Sequence, residues 1–164
     1  MERTLIVMRH AKTEIQKIDQ RDFDRNLMER GKEDAKLMGE RLAKEGFKPD
    51  QILTSNSNRT EQTTALIKQS AGLENVKTVS LAQLYHASAG RIESEIMTIE
   101  DNIGTLMIVG HNPGISEFVY QCNTSAISSE IPTSAIVVFK FNAESWRDFP
   151  EAKKKLVHYD YPKK

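Results

Sequence analysis

Two short apolar runs that each end at a histidine constrain this chain most. Leu5-Ile6-Val7-Met8 is followed by Arg9-His10, and Leu106-Met107-Ile108-Val109 by Gly110-His111-Asn112-Pro113. Aliphatic runs of this length, bounded by polar residues or by Gly and Pro, read as buried strands, and open α/β sheets bind ligands beyond the carboxyl ends of their strands. His10 and His111 are therefore expected at the rim of one site. A lone histidine at a strand end is as readily a hydrogen-bonded structural residue, but two of them with an adjacent arginine are a stronger signal.

Further candidate strands are Gln51 to Thr54, Val76 to Val79 and Ala135 to Phe141. Helical patterns of ten or more residues separate most of them. This alternation predicts an α/β three-layer sandwich, a mainly parallel central sheet with helices on both faces. A first helix is expected from Glu29, with Ala35, Met38 and Leu42 on one stripe, Gly46 as its stop and Pro49 beyond. Ile92, Ile96, Ile99 and Ile103 predict another, capped by Ser88 and closed by Gly104. Asn112 and Pro113 read as the N-cap and first residue of a helix through Cys122, which puts His111 just before a helix N-terminus, where an anion is favoured. Asp19 to Asn26 and Gln121 to Pro132 are expected as polar loops over the site. The tail from Lys153 to Tyr159 suggests a short edge strand guarded by lysines. With 164 residues and no linker or repeat, a single domain over 1-164 is expected.

Charge narrows the function. Lys+Arg and Asp+Glu both number 23, so the basic excess of a nucleic-acid binder or a polybasic membrane anchor is missing. An anionic ligand would have to be drawn by a local site. The single Cys122 excludes an intramolecular disulfide and any multi-cysteine zinc site, and its apolar neighbours at helical spacing mark it as a packing residue. No run approaches a membrane span or a signal-peptide core, so a cytoplasmic location is expected. The chain has neither a carboxylate-rich metal motif nor a Gly-rich phosphate loop with its lysine; no metal and no cofactor are expected.

Between the two histidine turns lies Ser55-Asn56-Ser57-Asn58-Arg59-Thr60-Glu61-Gln62-Thr63, with several N-cap residues ahead of a helical stretch. Arg59 then falls in a first helical turn, where the helix dipole disfavours a cation unless an anion compensates it. Two arginines, two histidines and a helix N-terminus at strand ends would suit a phosphoryl group.

Taken in order, Arg9-His10-Ala11, Ser55 through Arg59 to Gln62-Thr63, and Gly110-His111-Asn112-Pro113 resemble the histidine phosphatase superfamily, which shares the fold of cofactor-dependent phosphoglycerate mutase. The short length, the segment Asp22-Phe23-Asp24-Arg25-Asn26-Leu27 before Glu29-Arg30-Gly31, and Thr133-Ser134-Ala135-Ile136 are similar to the SixA-type phosphohistidine phosphatases within it. The resemblance implies that His10 attacks phosphorus to give a phosphohistidine, while Arg9, Arg59 and His111 hold the phosphoryl oxygens, and water then releases phosphate. It implies a phosphorylated substrate, such as a phosphohistidine-bearing protein domain.

The sequence departs from the family at two points. Asn56 stands where a proline is common. The acidic proton donor of many members has no match after the third strand, where Leu84-Tyr85-His86-Ala87-Ser88 offers His86 or Tyr85 instead. His86 and Arg25 are further candidate substrate contacts, Arg25 from a loop. A small-metabolite phosphomonoesterase and a non-catalytic phosphate-binding module stay open as alternatives.

Overall fold

The structure, a computed structural model, describes residues 1–125, 127 and 130–163. Six strands form one sheet: β1 (Glu2–Arg9), β2 (Gln51–Ser55), β3 (Lys77–Leu81), β4 (Thr105–Gly110), β5 (Ile136–Asn142) and β6 (Lys155–Asp160), in the order β3-β2-β4-β1-β5-β6. The three pairs from β3 to β1 are parallel, whereas β5 runs antiparallel to β1 and β6 antiparallel to β5. The sheet is thus mostly parallel with an antiparallel edge, in the α/β class the alternating pattern predicts.

Alternate side chains of each central strand point to opposite faces. Leu5, Val7, Leu53, Leu106, Ile108, Val137 and Phe139 share one core with α3 (Ala89–Ile96), α4 (Gly114–Cys122) and the 3₁₀ turn Trp146–Glu151. Ile6, Met8, Ile52, Met107, Val109 and Val138 face the other, under α1 (Glu29–Lys44) and α2 (Asn58–Ala71), which supply Met38, Leu42 and Ile67. The central strands are apolar on both faces because helices cover both. Cys122 packs against the first core, and burial pushes its thiol up to about 12, as suits a packing residue.

Several boundaries differ from those expected. The stripe Ile92, Ile96, Ile99, Ile103 is helical only to Ile96. Ile99 is still buried and Ile103 still packs on the core, but from turns. Arg3, only 1 % exposed, anchors the segment after the helix by donating to the carbonyls of Asp101 (2.9 Å) and Ile103 (2.8 Å), and the Trp146 indole N–H donates to Ile103 O (2.7 Å). These tertiary bonds satisfy backbone carbonyls that lie beyond the helix. The last helix begins at Gly114, so Asn112 and Pro113 both precede it; the Asn112 side chain nevertheless accepts from the Ser116 N–H (3.2 Å), as a capping residue does. Strand β3 starts one residue later than expected, and the loop proposed for Gln121 to Pro132 is helical through Cys122, with residues 126, 128 and 129 outside the described set. The lysine-guarded tail is the edge strand β6, and the His158 ring there lies tilted against Phe47, 5.4 Å between centroids.

Two features of the frame set the site. Arg9 is paired with Gly110 across the β1–β4 ladder, and the His10 N–H donates to Gly110 O (3.1 Å), so the next residues, His10 and His111, emerge side by side. Gly114 lets α4 lie directly against the loop after β3, because a Cβ there would overlap the Ala87 carbonyl oxygen, next to His86. Gly114→Ala should therefore cost about 1–3 kcal/mol of unfolding free energy, the usual scale of overpacking, in a urea titration. An unchanged titration would show that Ala87 is not fixed by this contact.

Candidate active site

The residues singled out in the sequence converge beyond the carboxyl ends of β1, β2 and β4. His10 is 8 % exposed and His111 3 %, with ring centroids 5.5 Å apart. The His10 Nδ1 lies 2.7 Å from the Ala11 carbonyl. A carbonyl only accepts, so Nδ1 carries the hydrogen and Nε2 of the neutral ring keeps its lone pair. The backbone around His10 is held as well: the Ala11 N–H donates to Thr63 Oγ1 (2.9 Å), whose hydroxyl donates to Arg59 O (2.7 Å), and Ser134 N–H reaches the carbonyls of Arg9 (3.2 Å) and His10 (3.1 Å). His111 Nε2 lies 2.8 Å from Ser55 Oγ at the end of β2, while its Nδ1 is buried without a protein partner.

Arg59 stands in the first turn of α2, as expected, behind the N-cap Ser57, whose Oγ accepts from the Thr60 N–H. It is 3 % exposed, and the anion that compensates it is internal. Its Nη1 donates to the Asp22 carbonyl (2.8 Å) and its Nη2 to Asp22 Oδ2 (2.9 Å). Tyr85 Oη (2.6 Å) and His86 Nε2 (2.9 Å) meet the same Oδ2, and Arg25 Nη1 donates to Oδ1 (3.1 Å). Both Tyr85 and His86 lie against His111, at ring distances of 5.4 and 5.1 Å. Arg25 and His86 thus join the cluster through Asp22. Arg9 is tied by Nη1 to the Ile131 carbonyl (3.0 Å), with Nε buried and unpartnered.

Asp22 is the member that sequence reasoning missed. Aspartate in a polar loop reads as solvated, and only the packing of three segments around it marks it otherwise. Its motif neighbour Arg25 was the available signal. Partial desolvation would raise the Asp22 carboxyl, but hydrogen bonds from Tyr85, Arg59, His86 and Arg25 together overcome it and hold it well below the usual carboxylate range. Among the described residues no three His, Cys, Asp or Glu side chains are grouped as a metal site, and no helix is long and apolar enough to cross a membrane.

Residues 5–117 match the family model of the histidine phosphatase superfamily, branch 1. The chain belongs to that superfamily. An uncharacterized protein of Mycobacterium tuberculosis is 32% identical over 165 residues, covering 95% of this chain and all of that one. Among solved structures, a candidate phosphohistidine phosphatase SixA from Agrobacterium tumefaciens superposes with a TM-score of 0.85 at 25% identity, over 98% of each chain. The protein histidine phosphatase SixA in complex with tungstate superposes with a TM-score of 0.82 over 97% of each chain; at 17% identity this shows the shared fold.

Membership in a phosphatase superfamily gives the site's electrostatics a direct meaning. Burial, and then the positive charges of Arg59, Arg9 and Arg25, lower the His10 pKa from 6.5 to about 4, although the bond to Ala11 pulls the other way. Burial is also the main cause that lowers His111 to about 2, with Arg59 next. Both imidazoles are neutral across the physiological range, and a neutral imidazole is a nucleophile. An unfolded histidine takes up its proton near pH 6.5, well before the native His10 does, so the unfolded state binds more protons in between. Stability should fall as pH drops from about 6.5 through about 4. Histidine NMR should find the His10 ring neutral at pH 5.5; a ring titrating near 6.5 would contradict this electrostatic picture.

Proposed function

We propose that this chain is a metal-independent phosphatase working through a phosphohistidine on His10, and that its substrate is a phosphohistidine in a protein, as in SixA-type enzymes. The observation that carries the reading is the fixed tautomer of His10: with Nδ1–H bound to Ala11, the Nε2 lone pair is presented beside His111 in a field of three arginines. Nε2 attacks phosphorus, the new P–N bond forms as the bond to the leaving group breaks, and the electron pair departs with that group. Water then attacks the phosphohistidine, and inorganic phosphate leaves with His10 restored.

Phosphoryl transfer needs in-line positioning and stabilisation of charge on the equatorial oxygens. In this reading Arg9, Arg59 and His111 supply it, and Arg25 and His86 contact the substrate at the mouth. The choice of substrate class rests on proton supply. Asp22 is the carboxyl group bonded into the cluster, and its four partners hold it ionised, which makes it a poor proton donor. An alkoxide leaving group needs a proton; an imidazole leaves more readily. The likeness to the Agrobacterium SixA structure supports the same class.

Purified protein should dephosphorylate a phosphohistidine-bearing domain far faster than phosphorylated sugars or phosphoserine peptides. Preference for a sugar phosphate would point instead to a small-metabolite phosphomonoesterase, and binding without turnover to a non-catalytic module. Arg59→Ala should lower kcat by about 10²–10³, the scale for losing one preorganised donor. Lysine at that position should restore only part of it, for want of the planar fork. EDTA should leave the rate unchanged; loss of activity restored by a divalent cation would contradict the metal-free chemistry. Among esters, kcat/KM should rise steeply as the leaving-group pKa falls, and a flat dependence would reveal an efficient acid, for which His86→Ala is the check.

A further inference from the structure

The cluster around Asp22 has the composition of an anion site that is already satisfied. Oxygen Oδ2 takes Arg59 Nη2 at 2.9 Å, Tyr85 Oη at 2.6 Å and His86 Nε2 at 2.9 Å, and Oδ1 takes Arg25 Nη1 at 3.1 Å. These four side chains come from three separate parts of the chain: the loop after β1, the first turn of α2 and the loop after β3. Such convergence of two arginines, a phenol and an imidazole on one carboxylate is the kind of arrangement that binds a phosphoryl group. Nearby in the site, Arg9 Nε and His111 Nδ1 are buried with no protein partner.

The segment that brings Asp22 there is only lightly packed, with the ring of Phe23 edge-on against Tyr85 at 5.2 Å. Its 3₁₀ turn, Asp22–Asp24, buries no residue. Ile15 and Ile18, earlier in the same loop, are 91 % and 102 % exposed. The loop is fastened mainly by polar bonds: Glu14 N–H to Asn26 O (2.9 Å), Asn58 Nδ2 to Asp24 O (3.0 Å), and the bonds of Asp22 itself. Segments with few buried apolar contacts open at low cost.

We propose that Asp22 is a resident counter-anion for Arg59, that an incoming phosphoryl group takes the place of its carboxylate on the guanidinium, and that this exchange sets the affinity of the site for phosphorylated ligands. The inference rests on the reading of His10, Arg9, Arg59 and His111 as a phosphoryl site. Two anions on one buried guanidinium repel each other, so the carboxylate and the phosphoryl oxygens are in competition, and the ligand's apparent affinity is reduced by the population in which Asp22 is seated. The exchange also keeps the arginine from standing as an unpaired buried charge between turnovers. The Asp22 backbone carbonyl, which accepts from Arg59 Nη1, is untouched by a side-chain change. The carboxylate is therefore separable from the rest of the anchor.

This role has a sign opposite to that of a merely orienting residue. Removing a residue that orients Arg59 weakens oxyanion binding, whereas removing a competitor strengthens it. The probe is inorganic vanadate as a competitive inhibitor of para-nitrophenyl phosphate hydrolysis by the full chain. Asp22→Asn keeps the shape and removes the charge, and should lower the inhibition constant about tenfold, the scale of one charge-assisted hydrogen bond, with KM falling in step. Tyr85→Phe removes the 2.6 Å bond that helps seat the carboxylate and should shift both constants the same way by a smaller factor; it carries the test if Asp22→Asn does not fold. An inhibition constant that rises, or stays within about twofold, in a cooperatively folded variant overturns the exchange. If instead wild type takes up no vanadate and Arg59→Ala changes nothing, the phosphoryl-site reading itself has failed, and the exchange with it.

Discussion

The parallel ladder between β1 and β4 is the constraint on which the rest of the site depends. Its register pairs Arg9 with Gly110, so the two residues that leave the sheet next are His10 and His111, and their rings lie 5.5 Å apart. A slip of one residue would turn every side chain of a strand to the opposite face. That slip is prevented by burial on both sides: Leu5 and Val7 belong to one core, Ile6 and Met8 to the other, and all four are fully buried. The packing that stabilises the fold is thus also what aligns the two histidines, without any contact between them having to do it. The third member, Arg59, is placed by β2 and α2 through Ser55, Ser57, Thr60 and Thr63, a run of hydroxyls that bond strand end, helix start and the backbone after His10.

Electrostatics then makes this geometry chemically useful. Burial would leave an imidazole neutral anywhere, but here three nearby arginine charges act in the same direction on His10, and the Ala11 carbonyl selects which nitrogen stays free. Positive charge concentrated next to a neutral base suits a ligand that brings negative charge with it. Asp22 is the counterweight. Its carboxylate balances Arg59 and Arg25, and its place on a lightly packed loop makes that balance adjustable.

The sheet, its helices on both faces and the convergence of His10, His111 and Arg59 were legible in the sequence because each rests on a local pattern: an apolar run with a polar end, or a cap ahead of a helix. Arg25 and His86 were also brought to the cluster, although neither is on a regular element. What could not be read depended on long-range bonds. The helix carrying Ile92 and Ile96 stops early, and the segment after it is held by Arg3, far away in sequence, which binds the carbonyls of Asp101 and Ile103. The helix after His111 starts one residue later than its Asn-Pro pair suggests, since Asn112 caps it from a position outside it. Asp22 escaped notice for the same reason: beyond its neighbour Arg25, nothing in its local sequence says that Arg59, Tyr85 and His86 will meet it.

The most direct test of the central claim is to trap the covalent intermediate. Rapid quenching during turnover of a ³²P-labelled substrate is expected to leave label on the protein that is stable in alkali and labile in acid, as a P–N bond is, and to map it to His10, with none on His10→Ala. Label that persists in the His10 variant, or turnover with none on the wild-type chain under conditions where hydrolysis of the intermediate limits the rate, would contradict covalent catalysis at the end of β1.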